Sequence, residues 1–274
     1  MASNQSVISC AVLPTGRQIS YSIQESQPTG PWIILSNTFG ADVTLFEPVA
    51  QRLASSGFRV LSYDHPGHGQ SSPVKNVDKV EIEEMIDDLD QLLQVLEIDN
   101  IRAWVGVSLG AASGVYLSCR RPKLIERLVF CGCPPASFAA LGLMVPGQFD
   151  KIRTDAEQDG TTAKVIRQMH YGWASKEWLE LHPDQDARLI RASETLTLDG
   201  LRAVMTLQKS VRFDMRPLVG ELATSCERIM FVKGEHDTRI NPFLDMMRDK
   251  TIEIAEEKGI QGDFSIVTVP ETGH

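Results

Sequence analysis

Residues 101–120, IRAWVGVSLGAASGVYLSCR, decide the fold of this chain. The apolar run 101–107 is typical of a buried strand, and 109–120 is typical of a helix. Between them Gly106-Val107-Ser108-Leu109-Gly110 fits the pattern G-x-S-x-G. A turn this sharp strains the serine backbone, lifts its hydroxyl clear of the sheet and leaves no room for side chains at the glycines. The same letters also occur in ordinary Gly/Ser turns, but between a strand and a helix they predict a nucleophilic serine at Ser108.

The composition narrows the class of protein. The chain has 274 residues, of which 42% are hydrophobic and 23% charged, as in ordinary globular proteins. A net charge of −9 repels phosphate backbones, so we expect no nucleic-acid partner. No apolar run approaches the ~20 residues that span a bilayer, and residues 1–10 lack the parts of a signal peptide. For the same reason we expect no membrane partner. The five cysteines are odd in number and scattered, which favours a reducing, cytoplasmic location. The sequence leaves the oligomeric state open.

Strand-like and helix-like segments alternate on both sides of Ser108. This rhythm predicts an α/β fold with a mostly parallel central sheet flanked by helices. The expected strands are 7–12 and 18–22 as a hairpin, then 32–35, 58–63, 101–107, 125–131, 228–233 and 264–269, and the expected helices are 46–56, 82–96, 109–120 and 242–258. Residues 137–220 have helical or loop-like character. We therefore predict a core formed by residues 1–136 and 221–274, with a helical cap inserted at 137–220 after the sixth strand.

A serine hydroxyl needs a base to remove its proton and an acid to orient that base. In enzymes with this turn the chain order is serine, acid, histidine. His274 follows the last expected strand, which is where such a base belongs, whereas the histidines of the insertion suit solvated or capping roles. For the acid, Asp237 stands on the loop after the strand 228–233, with Glu235 as its local rival. We predict the catalytic residues Ser108, Asp237 and His274.

The oxyanion of an acyl-transfer reaction needs hydrogen-bond donors. We expect one from the backbone N–H of Leu109 and a second from that of Phe39, with the Thr38 hydroxyl as a helper. For substrate binding we name Thr38, Trp173 and Trp178, although packing between cap and core explains the two tryptophans equally well. Cys131-Gly-Cys133 is a lone C-x-C pair, more typical of packing than of a metal site, and we expect neither metal nor cofactor.

Taken together, these motifs resemble the α/β-hydrolase superfamily, and within it the 3-oxoadipate enol-lactonase group. The segment 35–42, LSNTFGAD, is similar to that group's L-S-N-S-x-G-x-D loop, and 63–72, YDHPGHGQSS, is similar to the superfamily's Y-D-x-R/P-G-H-G-x-S segment. The resemblance covers nearly the whole core and implies an α/β-hydrolase fold whose cap shapes the substrate pocket. Such relatives continue past the catalytic histidine into a helix, whereas this sequence ends at His274, where an α-carboxylate would raise the imidazole pKa. Either the natural chain is longer or its end is supported differently.

The sequence therefore predicts a serine hydrolase that cleaves an ester or lactone bond of a small to medium organic molecule through an acyl-enzyme. The same residues also serve thioester release, C–C hydrolysis or cyclisation of a metabolite, because fold does not fix function. A third possibility, from another class, is a non-catalytic small-molecule binding protein.

Overall fold

A mostly parallel sheet runs through the computed structural model, which describes residues 7–273. Within that range the strand order is β1-β2-β4-β3-β5-β6-β7-β8. Strand β2 pairs antiparallel with both β1 and β4, and the later neighbours are all parallel. The strands are β1 Ile8–Val12, β2 Gln18–Glu25, β3 Trp32–Ser36, β4 Arg59–Tyr63, β5 Ala103–Val107, β6 Arg127–Cys131, β7 Arg228–Gly234 and β8 Asp263–Val269.

Helices cover the sheet and supply the insertion. They are α1 Glu47–Ser55, α2 Ile82–Val95, α3 Leu109–Arg120, α4 Gln148–Asp159, α5 Ala163–Ala174, α6 Lys176–Leu181, α7 Pro183–Ser193, α8 Leu198–Lys209, α9 Val219–Ser225 and α10 Asn241–Glu257, with a short 3-10 turn at Arg216–Leu218. Strand β3 is buried at every position because it lies inside a parallel sheet with helices on both sides. Helix α2 buries one apolar face against the sheet, formed by Ile82, Met85, Ile86, Leu89, Leu92 and Leu93. These features confirm the predicted fold class.

Helices α4 to α8 form an insertion between β6 and β7, and its two ends meet. Ala136 and Asp214 form an antiparallel bridge. Beside it, the Ser137 N–H donates to the Phe213 carbonyl at 2.8 Å. Helix α9 then packs on α3 and α10, so the chain has rejoined the core before β7. The predicted boundaries at 137 and 220 lie close to these points and stay a prediction of the domain limits.

The insertion is tied to two loops of the core. Thr195 Oγ1 donates to Asp42 Oδ2 at 2.9 Å, and Thr197 Oγ1 donates to the Gly67 carbonyl at 2.9 Å. The backbones of Gly67 and Gly200 approach so closely that a Cβ on Gly67 would lie 2.5 Å from the Gly200 Cα. The loop before α8 therefore rests directly on the core loops that follow β3 and β4.

Two general observations concern the same range, 7–273. None of its helices is both long and apolar enough to cross a membrane. The cysteines Cys10, Cys119, Cys131, Cys133 and Cys226 all carry free thiols.

Candidate active site

Ser108 stands at the junction of β5 and α3 in a strained conformation, with φ 51° and ψ −115°. The positive φ places it in a region that non-glycine residues rarely adopt. The turn leaves no room beside it: a Cβ on Gly106 would lie 2.3 Å from the Gly110 carbonyl oxygen, and one on Gly110 would lie 2.1 Å from the Ser36 carbonyl oxygen. The Ser108 N–H donates to the Cys131 carbonyl at 2.9 Å, which holds the turn against β6. The structure therefore shows the steric reason for the two glycines that the motif implied.

Two backbone N–H groups lie beside this serine. Phe39, Leu109 and Ser108 all line one cavity. Among residues 7–273, no acceptor takes a hydrogen bond from the N–H of Phe39 or Leu109. An N–H with no acceptor at the edge of a cavity is available to a ligand oxygen.

A buried histidine fixes the loop that carries Phe39. The Gly40 N–H donates to His68 Nε2 at 3.0 Å, so the proton of this imidazole sits on Nδ1 and is donated to the Pro66 carbonyl at 3.1 Å. Burial, together with the nearby His65, lowers the pKa of His68 to about 3. The ring therefore stays neutral and keeps the tautomer that accepts from Gly40.

His65 supports the same loop from a second point. Its Nε2 lies 2.8 Å from the Asn37 carbonyl, and burial lowers its pKa to about 4. At the end of β3, Ser36 Oγ and the Tyr63 hydroxyl share a hydrogen bond of 2.7 Å. The loop after β3 is thus built on buried neutral groups.

The predicted acid and its rival differ in burial. Asp237 is 7% exposed, whereas Glu235 is exposed and accepts the Glu271 N–H at 2.9 Å. The His236 N–H donates to the Thr272 carbonyl at 2.8 Å. The loop after β7 is therefore hydrogen-bonded to the segment after β8.

The predicted base, His274, lies outside the described residues. The residue before it, Gly273, is held between two parts of the structure. A Cβ on Gly234 would lie 1.9 Å from the Gly273 carbonyl oxygen, and a Cβ on Gly273 would lie 2.2 Å from the Trp173 carbonyl oxygen. The last described residue thus packs against the end of β7 and against α5 of the insertion.

A cavity of about 370 Å³ extends from Ser108 into the insertion. Its lining is mainly apolar and consists of Phe39, Ser108, Leu109, Cys133, Pro134, Phe138, Gln148, Phe149, Ile152, Val165, Gln168, Met169, Gly172, Trp173, Val204, Met205, Gln208, Phe213, Arg239 and Ile240. Helices α4, α5 and α8 supply most of these side chains. The size and apolar character suit a small organic molecule.

The residues predicted to bind substrate divide into two groups. Trp173 lines the cavity, and its ring lies edge-on to Phe39 with centroids 6.5 Å apart. Thr38 and Trp178 are not among the lining residues. The Trp178 indole instead stacks on His182, four residues further along the chain, with centroids 4.2 Å apart. The structure therefore gives no support to Trp178 as a substrate contact.

Four polar side chains of the cavity were missed by the sequence analysis. They are Gln148, Gln168, Gln208 and Arg239. The Arg239 guanidinium lies 4.9 Å from the centre of the Phe138 ring. Its place two residues after Asp237, on a loop already expected to face the site, was the one available signal.

Cys131 and Cys133 lie in the packed interior of the protein. Cys133 is buried and lines the cavity, and its burial raises the pKa of the thiol well above its usual range. Burial also raises the pKa of Cys131 to about 11. Both thiols are therefore protonated at neutral pH and are poor nucleophiles. Within residues 7–273, no group of three or more His, Cys, Asp or Glu side chains is placed to hold a metal ion.

Comparison with known proteins decides the family. The profile of the alpha/beta hydrolase fold matches residues 31–239, which include Ser108, Asp237 and the whole insertion. The chain belongs to this family. The predicted α/β-hydrolase fold, and a hydrolase as the class of enzyme, are thereby confirmed at the level of the family.

The chain is also similar to individual hydrolases. The chain is 30% identical over 170 residues to 3-oxoadipate enol-lactonase 1 of Acinetobacter baylyi, covering 61% of this chain and 59% of that protein. It is 27% identical over 200 residues to the putative carbamate hydrolase RutD of Serratia proteamaculans, covering 72% and 71%. In fold it is similar to an enol-lactonase from Burkholderia xenovorans LB400, with a TM-score of 0.76, 24% identity and 97% and 92% of the two chains covered. The match to the first relative thus spans less than two thirds of that protein.

Proposed function

We propose that this hydrolase cleaves an ester or lactone bond of a small to medium organic molecule through a covalent acyl-enzyme. Ser108 is the nucleophile, His274 the general base and Asp237 the acid that orients it. The observation that carries the proposal is the conformation of Ser108, a strained residue at the floor of an apolar cavity and at the N-terminus of α3. Strain of this kind persists where the surrounding structure holds a reactive group in place.

The reaction follows from these positions. Ser108 Oγ attacks the carbonyl carbon while His274 takes its proton, and the carbonyl electron pair moves onto oxygen. The N–H groups of Leu109 and Phe39 donate to this oxyanion, a contribution of about 100- to 1,000-fold in rate for each donor in comparable enzymes. Collapse breaks the bond to the leaving oxygen, which receives the proton from His274. Water then repeats the sequence on the acyl-enzyme and releases the acid and free Ser108.

The choice of acid rests on burial. A carboxylate that orients a histidine acts most strongly where water is excluded. Asp237 is buried, whereas Glu235 is exposed and already accepts the Glu271 N–H. These contacts support Asp237 rather than Glu235.

The first experiment is labelling with a fluorophosphonate, which forms a covalent bond to an activated serine. We expect labelling of the wild type, no labelling of Ser108→Ala, and unchanged labelling of Ser55→Ala, whose hydroxyl only donates to the Gln51 carbonyl on the exposed face of α1. Turnover of p-nitrophenyl esters and of lactones should disappear with the label. Labelling that survives in Ser108→Ala, or folded wild type that neither labels nor turns over an ester, contradicts the proposal.

A second candidate reaction is carbamate cleavage, favoured by the similarity to a protein named as a putative carbamate hydrolase. The attack of Ser108 on the carbonyl is the same, but the intermediate is a carbamoyl-enzyme. Mass spectrometry separates the two reactions. Steady turnover of a carbamate supports the second candidate, whereas a stable carbamoyl adduct on Ser108 together with fast ester turnover supports the first.

We further propose that the chain acts on small-molecule substrates in the cytoplasm and without a nucleic-acid partner. The free cysteines of the described range suit a reducing compartment. The net charge of −9 disfavours contact with phosphate backbones.

A further inference from the structure

One stretch of the insertion holds the loop that carries Phe39. This oxyanion loop, residues 37–43, is buried except at the half-buried Thr38. The stretch that holds it is residues 192–200, which run from the end of α7 to the start of α8 and are called here the docking segment. The docking segment reaches the oxyanion loop by two routes, one through Asp42 and one through Gly67 of the loop after β4.

Asp42 forms the first route. Its N–H donates to the Ala192 carbonyl at 2.8 Å, and its Oδ2 accepts the Thr195 hydroxyl at 2.9 Å. Its Oδ1 accepts the N–H and the hydroxyl of Thr44, at 2.9 and 2.6 Å, which fixes the orientation of the carboxylate. Asp42 is buried, and both its backbone and its side chain are bonded to the docking segment.

Asp42 in turn restricts the position of Phe39. The Asp42 carbonyl accepts from Asn37 Nδ2 at 2.8 Å, and this bond closes a short turn that contains Phe39. Each residue has only two soft backbone dihedrals, so a turn this short has little freedom once its two ends are bonded. The place of the Phe39 N–H beside Ser108 therefore depends on where Asp42 is held.

The second route reaches the same loop through His68. The Gly67 carbonyl accepts the N–H of Thr197 at 3.0 Å and the hydroxyl of Thr197 at 2.9 Å. The next residue, His68, accepts the Gly40 N–H at 3.0 Å, and Gly40 directly follows Phe39. The docking segment thus supports the oxyanion loop at two points, Gly40 and Asp42.

The docking segment also continues into the cavity wall. Helix α8 begins within it, and Thr197 accepts the Gly200 N–H at 2.9 Å as the cap of that helix. Further along α8, three side chains line the cavity: Val204, Met205 and Gln208. One continuous stretch of chain therefore contacts both the space for the substrate and the loop that carries an oxyanion donor.

We propose that the docking segment, acting through Asp42 and Gly67, positions the Phe39 N–H for the oxyanion, so that the insertion sets the rate of the chemical step as well as the shape of the cavity. The inference rests on the proposed hydrolase function of Ser108 and adds a positioning element to it. Asp42 and Thr195 are positioning residues, because neither lines the cavity. An oxyanion donor acts on charge that develops only after the attack, so displacing it slows the reaction without weakening substrate binding.

Substitutions at Asp42 and Thr195 test the first route. In Asp42→Ala we expect kcat, for the ester that wild type turns over fastest, to fall about 10- to 100-fold with KM within about twofold of wild type, since a misplacement near 1 Å costs about 100-fold. Asp42→Asn should recover most of the rate, because its amide keeps an acceptor for Thr44 and gives Thr195 a donor.

Thr195→Val provides a milder variant, which keeps the test decisive if Asp42→Ala does not fold. It removes a single exposed donor, so kcat should fall about 3- to 10-fold, the size of one hydrogen bond, and Thr195→Ser should restore it. The matched control is Thr224→Val on α9, whose exposed hydroxyl donates only to the Glu221 carbonyl and whose loss should leave kcat unchanged.

A trifluoromethyl ketone separates stabilisation of the oxyanion from binding of the substrate. Ser108 Oγ adds to its carbonyl carbon, the serine proton passes to His274, and the carbonyl electron pair becomes an oxyanion. We expect Asp42→Ala to raise the inhibition constant of this ketone by about the factor by which it lowers kcat. In Ser108→Ala protein, which forms no oxyanion, adding Asp42→Ala should leave the affinity for the intact ester unchanged.

The outcomes keep the two proposals separable. Folded Asp42→Ala and Thr195→Val proteins with wild-type kcat, or an ester affinity that falls as much as kcat does, overturn the inference and leave the hydrolase intact. Wild type that neither labels with the fluorophosphonate nor turns over an ester refutes the hydrolase, and the inference with it.

Discussion

Replacing Gly110 by alanine tests the physical account of the serine turn most directly. The new Cβ would lie 2.1 Å from the Ser36 carbonyl oxygen, 2.5 Å from the Ser36 carbonyl carbon and 2.7 Å from the Asn37 carbonyl oxygen. All three are backbone atoms at the end of β3, so no side-chain rotation relieves the contact. Ordinary van der Waals contact begins near 3.4 Å, so α3 and β3 must separate by about 1.3 Å.

The magnitude follows from that displacement. Overpacking of a well-filled core costs about 1–3 kcal/mol. The bond from Trp104 Nε1 to the Gly110 carbonyl, 2.9 Å long, is strained by the same movement and contributes about 1 kcal/mol more. We expect the free energy of unfolding to fall by about 2–4 kcal/mol. Because the Leu109 N–H moves with Gly110, kcat/KM should fall about 100-fold or more, the usual effect of a misplacement near 1 Å.

The assay is urea unfolding followed by tryptophan fluorescence, together with the rate of fluorophosphonate labelling. The matched control is Gly220→Ala in α9, where the nearest atom to the new Cβ is 3.8 Å away and the change should be neutral or stabilising by up to about 1 kcal/mol. A Gly110→Ala protein within about 0.5 kcal/mol of wild type, and labelled at the wild-type rate, would refute the steric reasoning.

Two further predictions concern buried ionisable groups. His68→Ala removes the acceptor of the Gly40 N–H, so it should lower the free energy of unfolding by about 1–3 kcal/mol and slow fluorophosphonate labelling. The control is His182→Ala, at the exposed stack with Trp178, which should change the free energy of unfolding by no more than about 0.5 kcal/mol and leave the labelling rate unchanged. Equal effects of the two variants would contradict this prediction. For Asp64, burial raises the pKa from 3.8 to about 7, so between these values the folded state binds more protons than the unfolded state, and the contribution of this group to stability decreases as pH rises. In Asp64→Asn that decrease is absent, so urea unfolding across this window should show the free energy of unfolding of the variant rising relative to that of wild type as pH rises, by about 4 kcal/mol in all. A pH-independent difference would show that Asp64 does not titrate there.

Much of the core was predictable because its signals are local. The helix that follows Ser108 was predicted at 109–120 and has those limits, since the serine turn fixes one end. The strand before it was predicted from residue 101 but begins at Ala103, because Ile101 forms only an isolated bridge with Ile125. Such errors at element ends arise where pairing partners, not the residue pattern, set the boundary.

The insertion was less predictable because its contacts are made between distant segments. Gln208 reaches the cavity through the docking of α8, and nothing in the helical pattern of 198–209 marks that position. Trp178, which the sequence analysis named for substrate binding, has a local packing partner instead. Its partner His182 lies four residues further along the chain, a spacing that already indicated a local stacked pair rather than a substrate contact.

The bridge between Ala136 and Asp214 bears on how such a protein can diversify. Because the chain leaves and re-enters the core at one point, the distance between the two ends does not depend on how many residues lie between them. Each doubling of an inserted loop costs only about 0.6 kcal/mol in closure entropy. Exchanges, lengthenings or deletions of helices in this region therefore leave the register of β6 against β7 untouched. Changes in the insertion can therefore alter which substrates fit the cavity. The residues around Ser108, where backbone packs directly against backbone, tolerate no such change.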